Sequence, residues 1–367
     1  MPSSPSSRST GIRVPDDPRL YVNAITPFSA LVCGVQGPGK SHTVSVILES
    51  MMIVECPAIG SCRRLLSGLV LHFSEGGQGS LPCEAAWLAQ MNFQSGYAYL
   101  PSVRVYVSES SFSTMKKVYA PLGDYVTVHL LTLTFELDAK ATLSMMAIGF
   151  SEAAPLYMQS VLLGENLTYT RFLAEIQEAK KDMNPHQKAP LEQRLSLLAS
   201  FVDPLKSRTG ALFRAGWLTV TDLPGPFIDP SSACSLFEIV TRLFVRADVG
   251  TGKVLVVDEA HKYLSATRDD TGSTNALTSL IRQQRHLSMR VVLSTQEPTA
   301  VPPHHIFRRF SSPAWWDSVA KRVCADISNE QGFNQVVKLK TGQALVLCPS
   351  GLGLSSTACK TPSGAVV

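Results

Sequence analysis

The chain has 367 residues, more than a minimal domain needs and comfortable for one elaborated α/β domain. Hydrophobic residues make up 45% and charged residues only 17%, against about a quarter charged in ordinary domains, which excludes a largely disordered chain. The formal net charge of +4 is mild and permits nucleic-acid contact without arguing for it.

Residues 1–18 are rich in Ser and Pro and read as a disordered leader, lacking the apolar core of a signal peptide. No uninterrupted apolar run reaches bilayer length, so no membrane span is expected. The eight cysteines are scattered and form no CxxC pair, which predicts free thiols and an intracellular, non-secreted protein of cytoplasm or nucleus. The apolar stretch Ser29-Ala30-Leu31-Val32-Cys33 predicts a buried parallel strand. Directly after it comes Gly34-Val35-Gln36-Gly37-Pro38-Gly39-Lys40-Ser41, a glycine, four free positions and Gly-Lys-Ser, and then a helix over Ser41–Ser50.

Strand, glycine loop and helix together make a phosphate cradle. Glycines let backbone N–H groups converge on phosphate oxygens, and the helix start adds the positive end of its dipole. Gly34, Gln36, Gly37, Pro38, Gly39, Lys40, Ser41 and His42 are the candidate nucleotide-binding residues. Lys40 supplies a point charge to the β- and γ-phosphates, and the Ser41 hydroxyl is a ligand for Mg²⁺.

Further strands are predicted at Ser67–Phe73 and Val103–Val107, the latter followed by a helix with Met115 to Tyr119. Tyr125 to Leu137 alternates, and Asp138 reads as the N-cap of a helix over Ala139–Ile148. Tyr157 to Val202 is helical in pattern, with Leu191, Leu195, Leu198 and Val202 on one face. Leu218–Leu223 predicts a strand and Ser231–Arg246 a helix with Leu236, Ile239, Val240, Leu243 and Phe244 inward. The domain is expected over 19–351 with a largely helical insertion at 73–217, and 352–367 as a flexible tail.

Lys253-Val254-Leu255-Val256-Val257-Asp258-Glu259 is an apolar strand ending in two carboxylates, where ligands of open α/β sheets bind. Asp258 is placed to hold the hydration shell of Mg²⁺, and Glu259, directed to the other face, to polarise the attacking water. A helix over Ala276–His286 and a buried strand over Arg290–Gln296 follow. Gln296 ends that strand with an amide able to donate to phosphate and accept from water.

The run Ile281-Arg282-Gln283-Gln284-Arg285-His286 through Ser294-Thr295-Gln296-Glu297-Pro298, with Asp258-Glu259-Ala260-His261 before it, resembles the HerA/FtsK family of ring-forming, DNA-pumping ATPases. The resemblance spans about Leu20 to Gly351 and is strongest at the motifs. It implies a RecA-like P-loop sheet of the additional-strand catalytic-glutamate class, in which the strand ending at Gln296 lies between the phosphate-loop strand and the acidic strand. It also implies ATP and Mg²⁺ as cofactors, Gln296 as γ-phosphate sensor, and Arg285 as an arginine finger acting on a neighbouring copy, with Arg282 the second candidate. A hexameric ring and double-stranded DNA are the partners it implies. The absence of an Asn-Lys-x-Asp guanine signature agrees with ATP.

Departures from the family pattern are Ser288 where a glycine is usual after the finger and Glu297 where an arginine is usual after the glutamine. The family's N-terminal barrel has no counterpart ahead of the loop, and little chain follows the closing segment Lys338–Val346. These departures favour an alternative, a nucleotide-gated regulatory or scaffold module without motor activity. Arg308-Arg309, Lys321-Arg322, Lys338 and Lys340 read as surface charge rather than DNA contacts, Trp315-Trp316 as packing, and His304-His305 lacks company at metal spacing.

Overall fold

A computed structural model describes residues 23–24, 26–35, 37, 39–54, 56, 62, 64–74, 79–90, 100–133, 169–183, 185–201, 212–225, 228–263, 272–296, 305–307, 312, 315–317, 329–340 and 343–347. The helix expected from Asp138, the positions Gln36, Pro38 and Glu297, and the pairs Arg308-Arg309 and Lys321-Arg322 lie outside the described residues.

The described strands are β1 (Ser29–Cys33), β2 (Ser67–His72), β3 (Ser102–Val107), β4 (Val126–Leu130), β5 (Trp217–Asp222), β6 (Lys253–Val257), β7 (Met289–Thr295), β8 (His305–Phe307) and β9 (Leu345–Leu347). They form one sheet in the order β4-β3-β5-β2-β6-β7-β1-β8-β9. Every pairing is parallel except β8 with β9. The fold is therefore the α/β, RecA-like arrangement expected, and β7 lies between the phosphate-loop strand β1 and the acidic strand β6. The segment 73–217 carries helices, but its strands β3 and β4 also extend the main sheet on the β5 side.

Strand alternation sorts the core into two layers. One face carries Val32, Val70, Val105, Val220, Val256 and Val292, covered by α1 (Lys40–Met52), the short helical turn Glu84–Gln90 and α2 (Phe112–Tyr119). The other carries Leu31, Leu69, Leu71, Leu255, Val257 and Leu293. It is covered by α3 (Tyr169–Ala179), α4 (Pro185–Phe201), α5 (Pro230–Arg246), α6 (Gly272–Gln283) and α7 (Asn329–Val337). Leu191 and Leu198 of α4 are buried as the stripe predicts, and Trp316 lies 2% exposed in the same core, so it packs rather than offering a base-stacking surface.

Helix α5 shows how local sequence sets an element. Asp229 caps it, accepting the Ser232 N–H at 3.0 Å, and Pro230 opens the first turn, where a missing N–H costs nothing. Leu236, Phe237, Ile239, Val240 and Phe244 then fall on the buried face, each burial contributing about 1.5–3 kcal/mol.

Candidate functional site

The site gathers at the C-terminal ends of the central strands, as the crevice rule for open α/β sheets requires. β1 delivers the chain into Gly34 and Val35, and Gly39 caps α1 in a left-handed conformation at φ 90. Gly37 also has a positive φ of 87, and no atom lies within 4 Å of where its Cβ would be. Only glycine adopts such angles at no steric cost, so the loop keeps an open concavity bounded by backbone.

Lys40 is the first residue of α1 and is 4% exposed. Its Nζ donates to the Val35 carbonyl at 2.9 Å, folding the ammonium back over the loop. Burial holds this lysine below its ordinary value, while Glu259 and Asp258 pull it upward. Ser41 follows, partly buried on the same turn. The His42 ring is turned outward, 4.0 Å from the Glu84 carboxylate.

β6 ends at Val257, two residues short of the strand expected, and Asp258 and Glu259 form the turn beyond it. Asp258 is 6% exposed; its Oδ1 accepts the Glu259 N–H at 3.0 Å and its Oδ2 lies 3.1 Å from His72 Nδ1. Burial works against the Asp258 charge, but the His72 hydrogen bond and charge outweigh it and keep the carboxyl below its ordinary value. The buried Tyr263 hydroxyl donates to the Asp258 carbonyl at 3.0 Å, fixing the turn from behind.

Glu259 takes a left-handed backbone at φ 50, which turns its side chain away from Asp258 toward β7. There its Oε2 accepts from Gln296 Nε2 at 3.1 Å and lies 3.5 Å from His261 Nε2 and 3.9 Å from Lys262 Nζ. His261 Nδ1 accepts the Gln296 backbone N–H at 3.4 Å, so the ring proton belongs on Nε2, facing the glutamate. Because β6, β7 and β1 are neighbours, the Asp258-Glu259 turn, Gln296 and the loop leading to Lys40 lie at the same end of the sheet, with Glu259 bonded to Gln296. An open cradle, a buried lysine and a hard-oxygen donor pair in Ser41 and Asp258 fit a Mg²⁺-nucleotide.

Arg285 is not among them. α6 ends at Gln283, and Arg285 sits exposed in the turn that leads into the opposite end of β7, with Arg282 exposed in the helix's last turn. The helix expected over Ala276–His286 is thus displaced toward its N-terminus.

Sequence reasoning missed His72 and Asp222. Both end central strands, His72 on β2 and Asp222 on β5, so the strand-end rule that singled out Asp258 applied equally to them. Burial works against the His72 charge, but Asp222 and Asp258 outweigh it and raise the imidazole to about 9. Burial raises Asp222 above the usual carboxylate range despite the opposing pull of His72. Tyr119 donates to Asp222 Oδ2 at 2.7 Å, and Ser74 to Oδ1 at 3.3 Å. Cys83 completes a trio with His72 and Asp258 whose ligand atoms lie within 4.8 Å. Burial pushes the Cys83 thiol well above its ordinary value.

No family model matches this sequence, and no curated protein matches it. Among solved structures the chain is similar to VirB4 of Thermoanaerobacter pseudethanolicus at 11% identity and a TM-score of 0.45, covering 88% of each chain. At that level the likeness adds nothing to the residues of the site.

Proposed function

We propose that the chain binds a Mg²⁺-nucleoside triphosphate, ATP by the sequence resemblance, and hydrolyses its terminal phosphate. The observation that carries this reading is that Asp258, Glu259 and Gln296 follow the ends of β6 and β7, beside the loop that leads from β1 to Lys40. Gly37 and Gly39 offer backbone N–H groups to the phosphates, while the Gly34 N–H ties the loop's start to the Thr295 carbonyl at 3.3 Å, and Lys40 exchanges the Val35 carbonyl for phosphate oxygen. Ser41 and Asp258 would hold the metal, which when bound neutralises phosphate charge. Glu259 orients the water and takes its proton on Oε1, while Gln296, His261 and Lys262 hold the carboxylate in place through Oε2.

Turnover and nucleotide binding by the purified chain test the reading. Glu259→Gln is expected to lower ATP hydrolysis by about 100-fold or more while leaving binding intact. Hydrolysis at the wild-type rate in that variant would remove Glu259 as the base. A wild-type chain that binds no nucleotide would end the proposal.

Movement of double-stranded DNA by a ring of copies is the finer reading that the sequence resemblance supports. Duplex-stimulated turnover by an assembled ring favours it. A monomer indifferent to DNA favours the nucleotide-gated module instead.

A further inference from the structure

Three adjacent strands, β5, β2 and β6, end in Asp222, His72 and Asp258. The register pairs His72 with Asp222 directly, and the pairing of Leu71 with Val257 brings His72 beside Asp258. Register partners in a parallel sheet point to the same face, so acid, imidazole and acid form one cross-strand row. The row lies on the face covered by α1 and α2, because Val70 and Val256, two residues back from His72 and Asp258, belong to that layer.

We propose that His72 is a positioning residue for the metal-holding carboxylate, pinning Asp258 Oδ2 through Nδ1 within a row whose far end is anchored on α2 by Tyr119. The proposal rests on the Mg²⁺-nucleotide reading of the site and names a residue which that reading does not require.

The geometry supports it from both ends. The Glu259 N–H donates to Asp258 Oδ1 at 3.0 Å and His72 holds Oδ2 at 3.1 Å. A donor from β2 and one from the turn after β6 fix the carboxylate plane and leave lone pairs for a metal-bound water or the Ser41 hydroxyl. With His72 removed, Oδ2 loses this cross-strand partner and the carboxylate is less restrained about χ2. The imidazole is itself held. It is 15% exposed at the side chain, lies between two carboxylates, and the outer one is tied to Tyr119 Oη at 2.7 Å. Tyr119 is 1% exposed and its hydroxyl also accepts the Cys83 N–H at 3.1 Å. The row therefore links the metal-holding end of β6 to the layer of α2 and the turn after Cys83, with no exposed group between.

The test compares two amides at one position in the full chain. His72→Asn sets a side-chain N–H where Nδ1 stands, whereas His72→Gln carries it out to the place of Nε2. Both are polar and of similar size, and circular dichroism and thermal unfolding establish that each is folded. ATP turnover is then measured against free Mg²⁺, alongside the affinity for a fluorescent adenine nucleotide in EDTA.

His72→Gln is expected to raise the half-saturating Mg²⁺ about 10–100-fold, the usual cost of losing a partner behind a metal ligand, with affinity in EDTA unchanged. His72→Asn is expected to recover most of that loss, and Tyr119→Phe to shift it in the same direction by less. A purely structural role would lower stability alike in both amides and leave the Mg²⁺ midpoint in place. Identical Mg²⁺ midpoints for the Asn and Gln variants would overturn the proposal while the nucleotide reading stood. A wild-type chain whose nucleotide binding ignores Mg²⁺ would overturn both.

Discussion

Two non-glycine residues among those described hold a left-handed backbone, Glu259 and Ser288, each at φ 50. Such a conformation costs an L-residue about 1–2 kcal/mol, so something must hold it. At Glu259 the cost has a return, because the turn swings the carboxylate to Gln296 and His261 instead of leaving it beside Asp258. At Ser288 the constraint is structural. Its carbonyl accepts the Lys253 N–H at 3.2 Å and Arg290 Nη1 at 2.8 Å, which locks the entry into β7. Glycine would take this backbone angle without steric cost. The exposed Ser288 side chain has no role in holding the turn, so Ser288→Gly is expected to stabilise the fold by about 0.5–1 kcal/mol. A chemical-denaturation midpoint that falls or stays unchanged would contradict that account.

Helix α1 presents the phosphate loop, and its seating against the sheet depends on Gly68 of β2. A Cβ at that position would lie 2.6 Å from Leu218 Cδ1 and 3.3 Å from Met52 Sδ, and Met52 is the last residue of α1. Gly68→Val therefore forces the C-terminal end of α1 off the sheet, with an expected loss of about 1–3 kcal/mol of stability and weaker nucleotide binding. Thermal unfolding with and without nucleotide measures both effects, and an unchanged Tm would show that the layer gives more easily than this packing implies. β1, α1 and the core of β6 were legible in the sequence to within a residue or two, because a spaced glycine motif and unbroken apolar runs are local signals. The coupling of His72 to Asp222 and Asp258 was not, since it exists only once the strand order β5-β2-β6 brings three distant chain segments together. The end of α6 was also misplaced. The apolar periodicity through Leu287 continues into the turn that delivers Leu287 to the core, so pattern alone carries the helix too far.

At the scale of the whole molecule the question is what Arg285 can reach. β7 runs for seven residues from Met289 to Thr295, with Arg285 before its start and Gln296 just past its end. At about 3.3 Å per residue the two ends of that strand stand roughly 20 Å apart, beyond the reach of a guanidinium to the phosphates of its own chain. If Arg285 stabilises transition-state charge, it does so at a neighbour's site, through a head-to-tail contact that closes into a ring. On that reading Lys40→Ala would disable a chain's own phosphate loop but leave its Arg285 to serve the next copy. Arg285→Ala does the reverse. Each variant alone is expected to be nearly inactive. Equal mixtures are expected to recover on the order of a quarter of wild-type turnover, because a quarter of the junctions pair an intact loop with an intact finger. Co-assembly of the two variants, followed by size and by turnover together, makes the comparison decisive: mixed assemblies that form and stay inactive would remove Arg285 from catalysis and leave it as surface charge at the opposite end of β7.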